Sequence, residues 1–184
     1  FTMNEKGLTP VVDPNSLFII KRKGNQPAGV ACTAVFEGTR VFLVEIQALT
    51  IPAKSNISRI YSEKIESGRV ARIAAILEKR CGLCFSDQDI YVNVGGGVRL
   101  SESSIDAAIA VALYSARTDI PVPTGTAIFG ELSLAGEVRP VSKTSQRIKT
   151  ALNLGFSNIF TPEKNESSIM CSDIKSLIKS VFSK

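Results

Sequence analysis

Apolar and polar positions along this chain fall into blocks of two different periods. Residues Gly29 to Phe36 and Arg40 to Leu49 are dense in Val, Phe, Ile and Thr, and Glu37-Gly38-Thr39 makes a tight connection between them. That pattern predicts a long β-hairpin belonging to the main sheet. A short strand is expected around Arg59 to Ser62. From Ile65 to Arg80 the period changes, because Val70, Ile73, Ala74 and Leu77 recur at i, i+3, i+4 and i+7, as in an amphipathic helix. Arg69, Arg72, Lys79 and Arg80 share the outward side of that helix, where charge is ordinarily solvated. Asp89 to Val94 is a strand. Ile105 to Ala116 is nearly all Ala, Ile, Val and Leu, and a helix apolar on most sides is a buried central one. Ser101 is its expected N-cap, with Glu102 near the positive end of the helix dipole.

The second half repeats the alternation of strand and helix. Pro121-Val-Pro123-Thr-Gly125 interrupts the pattern, and strands follow at Thr126 to Glu131 and at Val138 to Pro140, joined through Ala135-Gly136-Glu137. Ser142 is placed to cap a helix reaching Leu154, with Gly155 closing it at the C′ position. Asn158 to Thr161 is a last short strand and Ile174 to Phe182 a terminal helix. This order gives an α/β fold with a mixed sheet packed with helices. Residues 1–28 hold Pro10, Pro14 and Pro27, a turn at Asp13-Pro-Asn-Ser16 and the apolar run Leu17-Phe-Ile-Ile20, which together read as an arm docking one short element. Residues 29–184 form the domain.

Composition narrows the function classes. No apolar stretch approaches the roughly 18 to 20 residues that a bilayer requires, and no signal peptide is visible, so a cytoplasmic protein without a membrane partner is expected. The chain begins at Phe1 rather than Met, as a piece of a larger protein would. The balance of 22 Lys plus Arg against 17 Asp plus Glu gives a net charge of +5, enough for one local basic patch. Histidine is absent, which removes Ser-His-Asp and Cys-His nucleophile systems and most zinc sites. Cys81-Gly-Leu-Cys84 follows the end of a predicted helix, where the dipole disfavours a thiolate, and has no second ligand pair; all four cysteines read as reduced thiols.

The stretch Gly95-Gly-Gly-Val-Arg-Leu-Ser-Glu-Ser-Ser-Ile-Asp106 carries the candidate chemistry. Glycines at a strand end permit positive φ and close backbone approach, and the helix start offers free N–H groups. A Walker A loop needs a lysine that Gly95 to Ser104 lacks, and no GxGxxG is present, so nucleotide binding is not expected here.

Several linked segments, in order along nearly the whole chain, carry a resemblance. They are Asp13-Pro-Asn-Ser-Leu-Phe18, Phe36-Glu-Gly-Thr-Arg40, Leu43-Val-Glu-Ile-Gln-Ala48, Leu77-Glu-Lys-Arg80, Asp87-Gln-Asp89, Val92-Asn-Val-Gly-Gly-Gly-Val-Arg-Leu100, Phe129-Gly-Glu131 and Leu134-Ala-Gly-Glu-Val-Arg-Pro-Val141. With them the chain resembles the C-terminal, Lon-protease-like domain of the RadA (Sms) family of bacterial DNA repair proteins. The resemblance implies a Lon-protease-like fold, also described as ribosomal protein S5 domain 2-like. It also implies a preceding RecA-like, DNA-dependent ATPase that uses ATP and Mg, and a zinc finger further upstream. Finally it implies a homo-oligomer, a hexameric ring, in which this domain stabilises the ring and contacts duplex DNA.

Lon proteases use a serine nucleophile with a lysine base, and the resemblance lays the serine position on Ser104, where typical RadA domains have alanine. The lysine position falls on Ser145. Lys143 stands two residues away, about 200° around a helix, so it is expected to point elsewhere, while Ser145 is expected on the inward stripe with Ile148, Ala151 and Leu152. Without a base the serine is inert, and the leading expectation is a noncatalytic module for oligomerisation and sequence-independent DNA binding. An active serine peptidase with Ser104 as nucleophile is the alternative. The candidate phosphate contacts are Arg59, Arg69 and Arg99, with Lys54 and Arg72 as weaker ones, since a guanidinium fork suits phosphate; an ordinary salt bridge is the competing role for each.

Overall fold

Burial on both faces of two neighbouring strands sets the centre of this protein. The computed structural model describes residues 2–4, 7–9, 18–20, 22, 24, 26–54 and 57–183. The turn expected at residues 13–16 lies outside the described residues. Eleven strands and four helices follow one another as β1 (Thr2–Asn4), β2 (Gly7–Thr9), β3 (Val30–Glu37), β4 (Arg40–Pro52), β5 (Ile60–Ser62), α1 (Ser67–Cys81), β6 (Gln88–Val94), α2 (Asp106–Thr118), β7 (Thr126–Ile128), β8 (Glu131–Leu132), β9 (Val138–Arg139), α3 (Thr144–Asn153), β10 (Asn158–Thr161), β11 (Ile169–Met170) and α4 (Ile174–Phe182). Seven of the strands form one sheet in the order β11-β10-β7-β3-β4-β6-β5. The hairpin β3–β4 is its middle, β4–β6 is antiparallel, and the flanking pairs are parallel, so the sheet is mixed.

Helices α1, α2 and α4 cover one face. Val44 and Ile46 of β4, and Ile90, Val92 and Val94 of β6, pack there against α2, whose residues Ala107 to Leu113 are without exposed surface. Alanine at four of those seven positions lets the helix approach the sheet closely on all sides, which answers to its unbroken apolar sequence. The other face carries Ala34, Leu43, Ala127, Phe129 and Ile159 and is covered by α3 through Ile148 and Ala151. The described part of the N-terminal arm continues that cover. Phe18 accepts a hydrogen bond from the Glu45 amide, and the Arg22 guanidinium makes a fork of two 2.7 Å bonds to the buried Glu45 carboxylate. Beside it, burial and the Glu45 charge push the Cys32 thiol up to about 12.

Three sequence expectations are corrected. The strand expected over Thr126 to Glu131 is split, because the Gly130 amide donates to Ser104 O (2.9 Å) and its carbonyl accepts from the Ala107 amide (3.0 Å), so the chain leaves the sheet at that point. Ser101 does not cap the central helix; a 3₁₀ turn over Ser103–Ile105 precedes α2, and Ser101 is exposed in extended chain before it. Nor does Ser142 cap α3, whose N-cap is Lys143 in the left-handed conformation (φ 59°). Gly155, at φ 86°, does close α3, with its amide bonded to Leu152 O.

Candidate functional site

Strand β6 delivers the chain into Gly95–Gly97, a single 3₁₀ turn with Gly96 and Gly97 at φ 75° and 69°. Gly95 is glycine for a different reason. A Cβ there would lie 2.7 Å from Phe18 O and 3.2 Å from Glu45 Cβ, so the turn lets the N-terminal arm cross the sheet at close range. Val98 to Glu102 then run to the 3₁₀ turn that holds Ser104.

Ser104 is 2% exposed and sits in a polar knot. Its hydroxyl donates to Glu102 Oε1, and Arg147 Nη1 stands 3.1 Å from its Oγ. The same guanidinium donates to Glu102 Oε1 at 2.6 Å, to Ser142 O through Nε at 3.0 Å, and to Ala34 O. Glu102 Oε2 accepts from the Phe36 amide at 3.2 Å, and the Arg147 guanidinium lies 4.8 Å from the Phe36 ring centroid. An arginine thus stands at the serine. Arg147 is 2% exposed and sits on the inward stripe of α3 with Ile148 and Ala151. Its signal in the sequence is a charge one and four residues from the apolar stripe positions Ile148 and Ala151, which a rule sending charge outward passes over.

Ser145, placed on that stripe by the sequence, is exposed instead, and Leu152 is largely exposed as well. Lys143 is the left-handed cap rather than a helical residue, so a helical offset from Ser145 does not describe it, and its Nζ rests 4.4 Å from the centroid of the Phe36 ring.

A second knot flanks the first. Asp106 is fully buried, with Oδ2 3.2 Å from Arg72 Nη2 and 3.3 Å from the Leu132 amide, and Oδ1 3.6 Å from Arg69 Nε. Oδ1 has no hydrogen-bond partner. Arg69 also donates 2.8 Å bonds to the carbonyls of Ser101 and Glu102. Arg69 and Arg72 therefore turn toward the α2 start rather than standing freely on an outward face.

Burial raises the Asp106 carboxyl above the usual carboxylate value, outweighing the Leu132 amide and the two arginines, which lower it. A carboxyl whose folded pKa exceeds its unfolded one keeps a proton that the unfolded chain has lost. Its stabilising contribution is complete below the unfolded value near 3.8 and is lost as pH rises through the folded value. Urea midpoints taken from pH 3.5 upward are expected to show the stability of the native chain falling relative to Asp106→Asn and then levelling. A constant difference between the two would contradict this.

Of the remaining candidates, Arg99 lines one cavity with Phe36 and Glu102 of the first knot. Arg59 is exposed ahead of β5; its amide donates to Asp89 Oδ1 at 2.9 Å, and the neighbouring Tyr61 hydroxyl raises its pKa further. Arg99 is exposed in the loop after the glycines, on the rim of a cavity lined by Phe18, Val35, Phe42, Val44, Val98 and Leu100. Lys54 is exposed beyond β4. Cys81 closes α1 and burial pushes its thiol up, while Cys84 is exposed. Among the described residues, no group of three or more His, Cys, Asp or Glu could hold a metal ion, and no helix is long and apolar enough to cross a membrane.

Comparison with known proteins adds identity to this geometry. Residues 44–165 match the family model described as subunit ChlI of Mg-chelatase. The DNA repair protein RadA of Treponema pallidum (strain Nichols) is 57% identical over 162 residues, 88% of this chain and 36% of that protein. RadA of Bacillus subtilis (strain 168) is 43% identical over 165 residues, 90% of this chain and 36% of that protein, and RadA of Brucella abortus (strain 2308) is 44% identical over 162 residues, 88% and 34%. The chain spans about a third of the length of these relatives. It belongs to the family described as subunit ChlI of Mg-chelatase, and it matches a segment of the DNA repair protein RadA in each of these bacteria.

Proposed function

We propose that this chain is a noncatalytic module of a RadA-type DNA repair ATPase. On this reading it has a Lon-protease-like frame, brings copies together into a hexameric ring in the cytoplasm, and holds duplex DNA by its phosphates without reading sequence. ATP, Mg and zinc belong, on the same reading, to parts of the protein beyond this chain.

The observation that carries the noncatalytic half is the Arg147 contact on Ser104. Activating a serine takes a base with a free lone pair to receive the proton, and an arginine in a protein does not lose its proton. Glu102 accepts the serine hydroxyl, but its Oε1 is already taken by Arg147 at 2.6 Å and its Oε2 by the Phe36 amide. A hydroxyl that is 2% exposed is also closed to a peptide carbonyl. These three facts favour the module over the peptidase.

The DNA half is supported by the relatives' name, DNA repair protein, and by two exposed arginines, Arg59 and Arg99. Arg69 spends its fork on Ser101 and Glu102, so its contribution would be to position the Arg99 loop. With the assembled protein, affinity for a duplex is expected to fall steeply with salt. Arg59→Ala together with Arg99→Ala is expected to weaken binding about tenfold on every sequence and to reduce the salt slope by about two. Solution mass measured in parallel separates loss of the ring from loss of contacts. Binding unchanged by the double substitution removes the DNA half, and acylation of Ser104 by a serine-reactive probe, abolished in Ser104→Ala, removes the noncatalytic half.

A further inference from the structure

The face of the sheet that α3 covers is bare at its other end among the described residues. There β4, β6 and the edge strand β5 present Gln47, Leu49, Asn93, Tyr91 and Tyr61 around a shallow hollow of about 450 Å³. The Tyr61 and Tyr91 rings are paired across parallel strands and stacked, 4.6 Å between centroids and 10° from coplanar. Leu49, opposite Tyr91 on β4, continues the row inward and is 57% exposed, while Tyr61, at the outer end, is 43% exposed. A cross-strand aromatic pair stabilises a sheet edge without needing a ligand. This row differs in ending on a ring with no strand beyond it, because β5 is the last strand of the sheet.

We infer that the Tyr61–Tyr91 row is a stacking platform for an unpaired nucleobase, binding single-stranded nucleic acid. The vacant position lies one ring spacing beyond Tyr61 and suits a flat π-face, which every base has. Arg59, two residues before Tyr61 in the chain, is exposed, and a cation there complements the phosphate that accompanies a stacked base. Asn93 and Gln47, joined by a 3.4 Å bond, add amide groups able to meet base edges. Glu63 is the one acidic residue lining the hollow, and Asp89 gives its Oδ1 to the Arg59 amide. A strand from a second copy is the less fitting occupant, since β5 offers only three residues for sheet extension. The inference goes beyond the duplex reading and does not rest on it.

The 184-residue chain is titrated with oligo(dT) and with an abasic oligonucleotide of equal length and charge, and is irradiated with a 5-iodouracil oligonucleotide. Expected are preference for oligo(dT) over the abasic strand of about tenfold, loss of that preference in Tyr61→Ala, its retention in Tyr61→Phe, and a crosslink mapped to Tyr61. Equal affinity for the two strands, or crosslinks only elsewhere, overturns the proposal even if Tyr61→Ala folds poorly, because both are read on the native chain. A Tyr61→Ala change in solution mass with oligo(dT) affinity unaltered overturns it in favour of an interface between copies. Duplex affinity of Arg99→Ala, measured beside these, reports on the duplex reading separately.

Discussion

Replacing Arg147 with methionine is expected to destabilise the fold by about 3 to 5 kcal/mol, the range for breaking a buried ion pair by removing one partner. Methionine keeps much of the side-chain volume, so the loss is electrostatic rather than a cavity. Glu102 would keep its charge without its 2.6 Å partner, and the carbonyls of Ala34 and Ser142 and the Ser104 hydroxyl would each lose a donor. Those groups belong to β3, to the approach to α3 and to the turn before α2, so the guanidinium ties together three segments far apart in sequence. Arg147→Lys retains the charge but cannot make the fork, and is expected to fall between. Adding Glu102→Gln to Arg147→Met should recover part of the loss, because the stranded charge is then gone. Denaturant midpoints of the four chains test this. A methionine variant within about 0.5 kcal/mol of the native chain, the range of ordinary surface substitutions, would show that the knot is incidental.

The knot also explains which parts of the molecule could be read from the sequence. Density in Val, Phe, Ile and Thr on either side of Glu37-Gly38-Thr39 placed β3 and β4, and an unbroken apolar run placed α2. The inward stripe of α3 was found through Ile148 and Ala151, but not its charged member, because Arg147 is buried only by virtue of partners at residues 34, 102, 104 and 142. Asp106 escaped for the same reason. Its acceptable burial depends on Arg69 and Arg72, on the preceding helix α1, and on an amide in β8. Local capping rules failed at Ser101 and Ser142 where a 3₁₀ turn and a left-handed residue moved the helix starts by a few positions.

The glycine turn that looked like a site is informative in the same way. Gly95 is there to pass Phe18 of the arm, and the space beside it is filled by Glu45, whose carboxylate holds the Arg22 fork. Its functional residue, on the proposed reading, is Arg99, carried outward by the chain that Gly96 and Gly97 redirect. The serine framework and the exposed arginines are therefore separate features: the first holds helices to the sheet, and the second faces solvent.

Gly29→Ala is expected to cost about 3 kcal/mol, at the upper end for a single strained backbone position. At φ 83° an alanine is already disfavoured, and its Cβ would stand 2.1 Å from Ala48 O, a backbone atom of β4 that has no rotamer to escape through. Relief requires moving Gly29 itself. That movement would stretch the 2.7 Å bond from the Ala48 amide to Gly29 O and the 2.8 Å bond from the Gly29 amide to the buried Ser115 hydroxyl, which in turn holds Ile120 O at the end of α2. The strain would thus pass from the start of β3 to the central helix. Gly38→Ala is the control, since Gly38 also has positive φ (61°) but nothing lies within 4 Å of its Cβ position. It should cost only about 1 kcal/mol, the conformational term alone. Urea denaturation of the two variants separates the terms, and equal losses would mean that β4 yields at Ala48 and that the close approach at Gly29 is not a constraint on the fold.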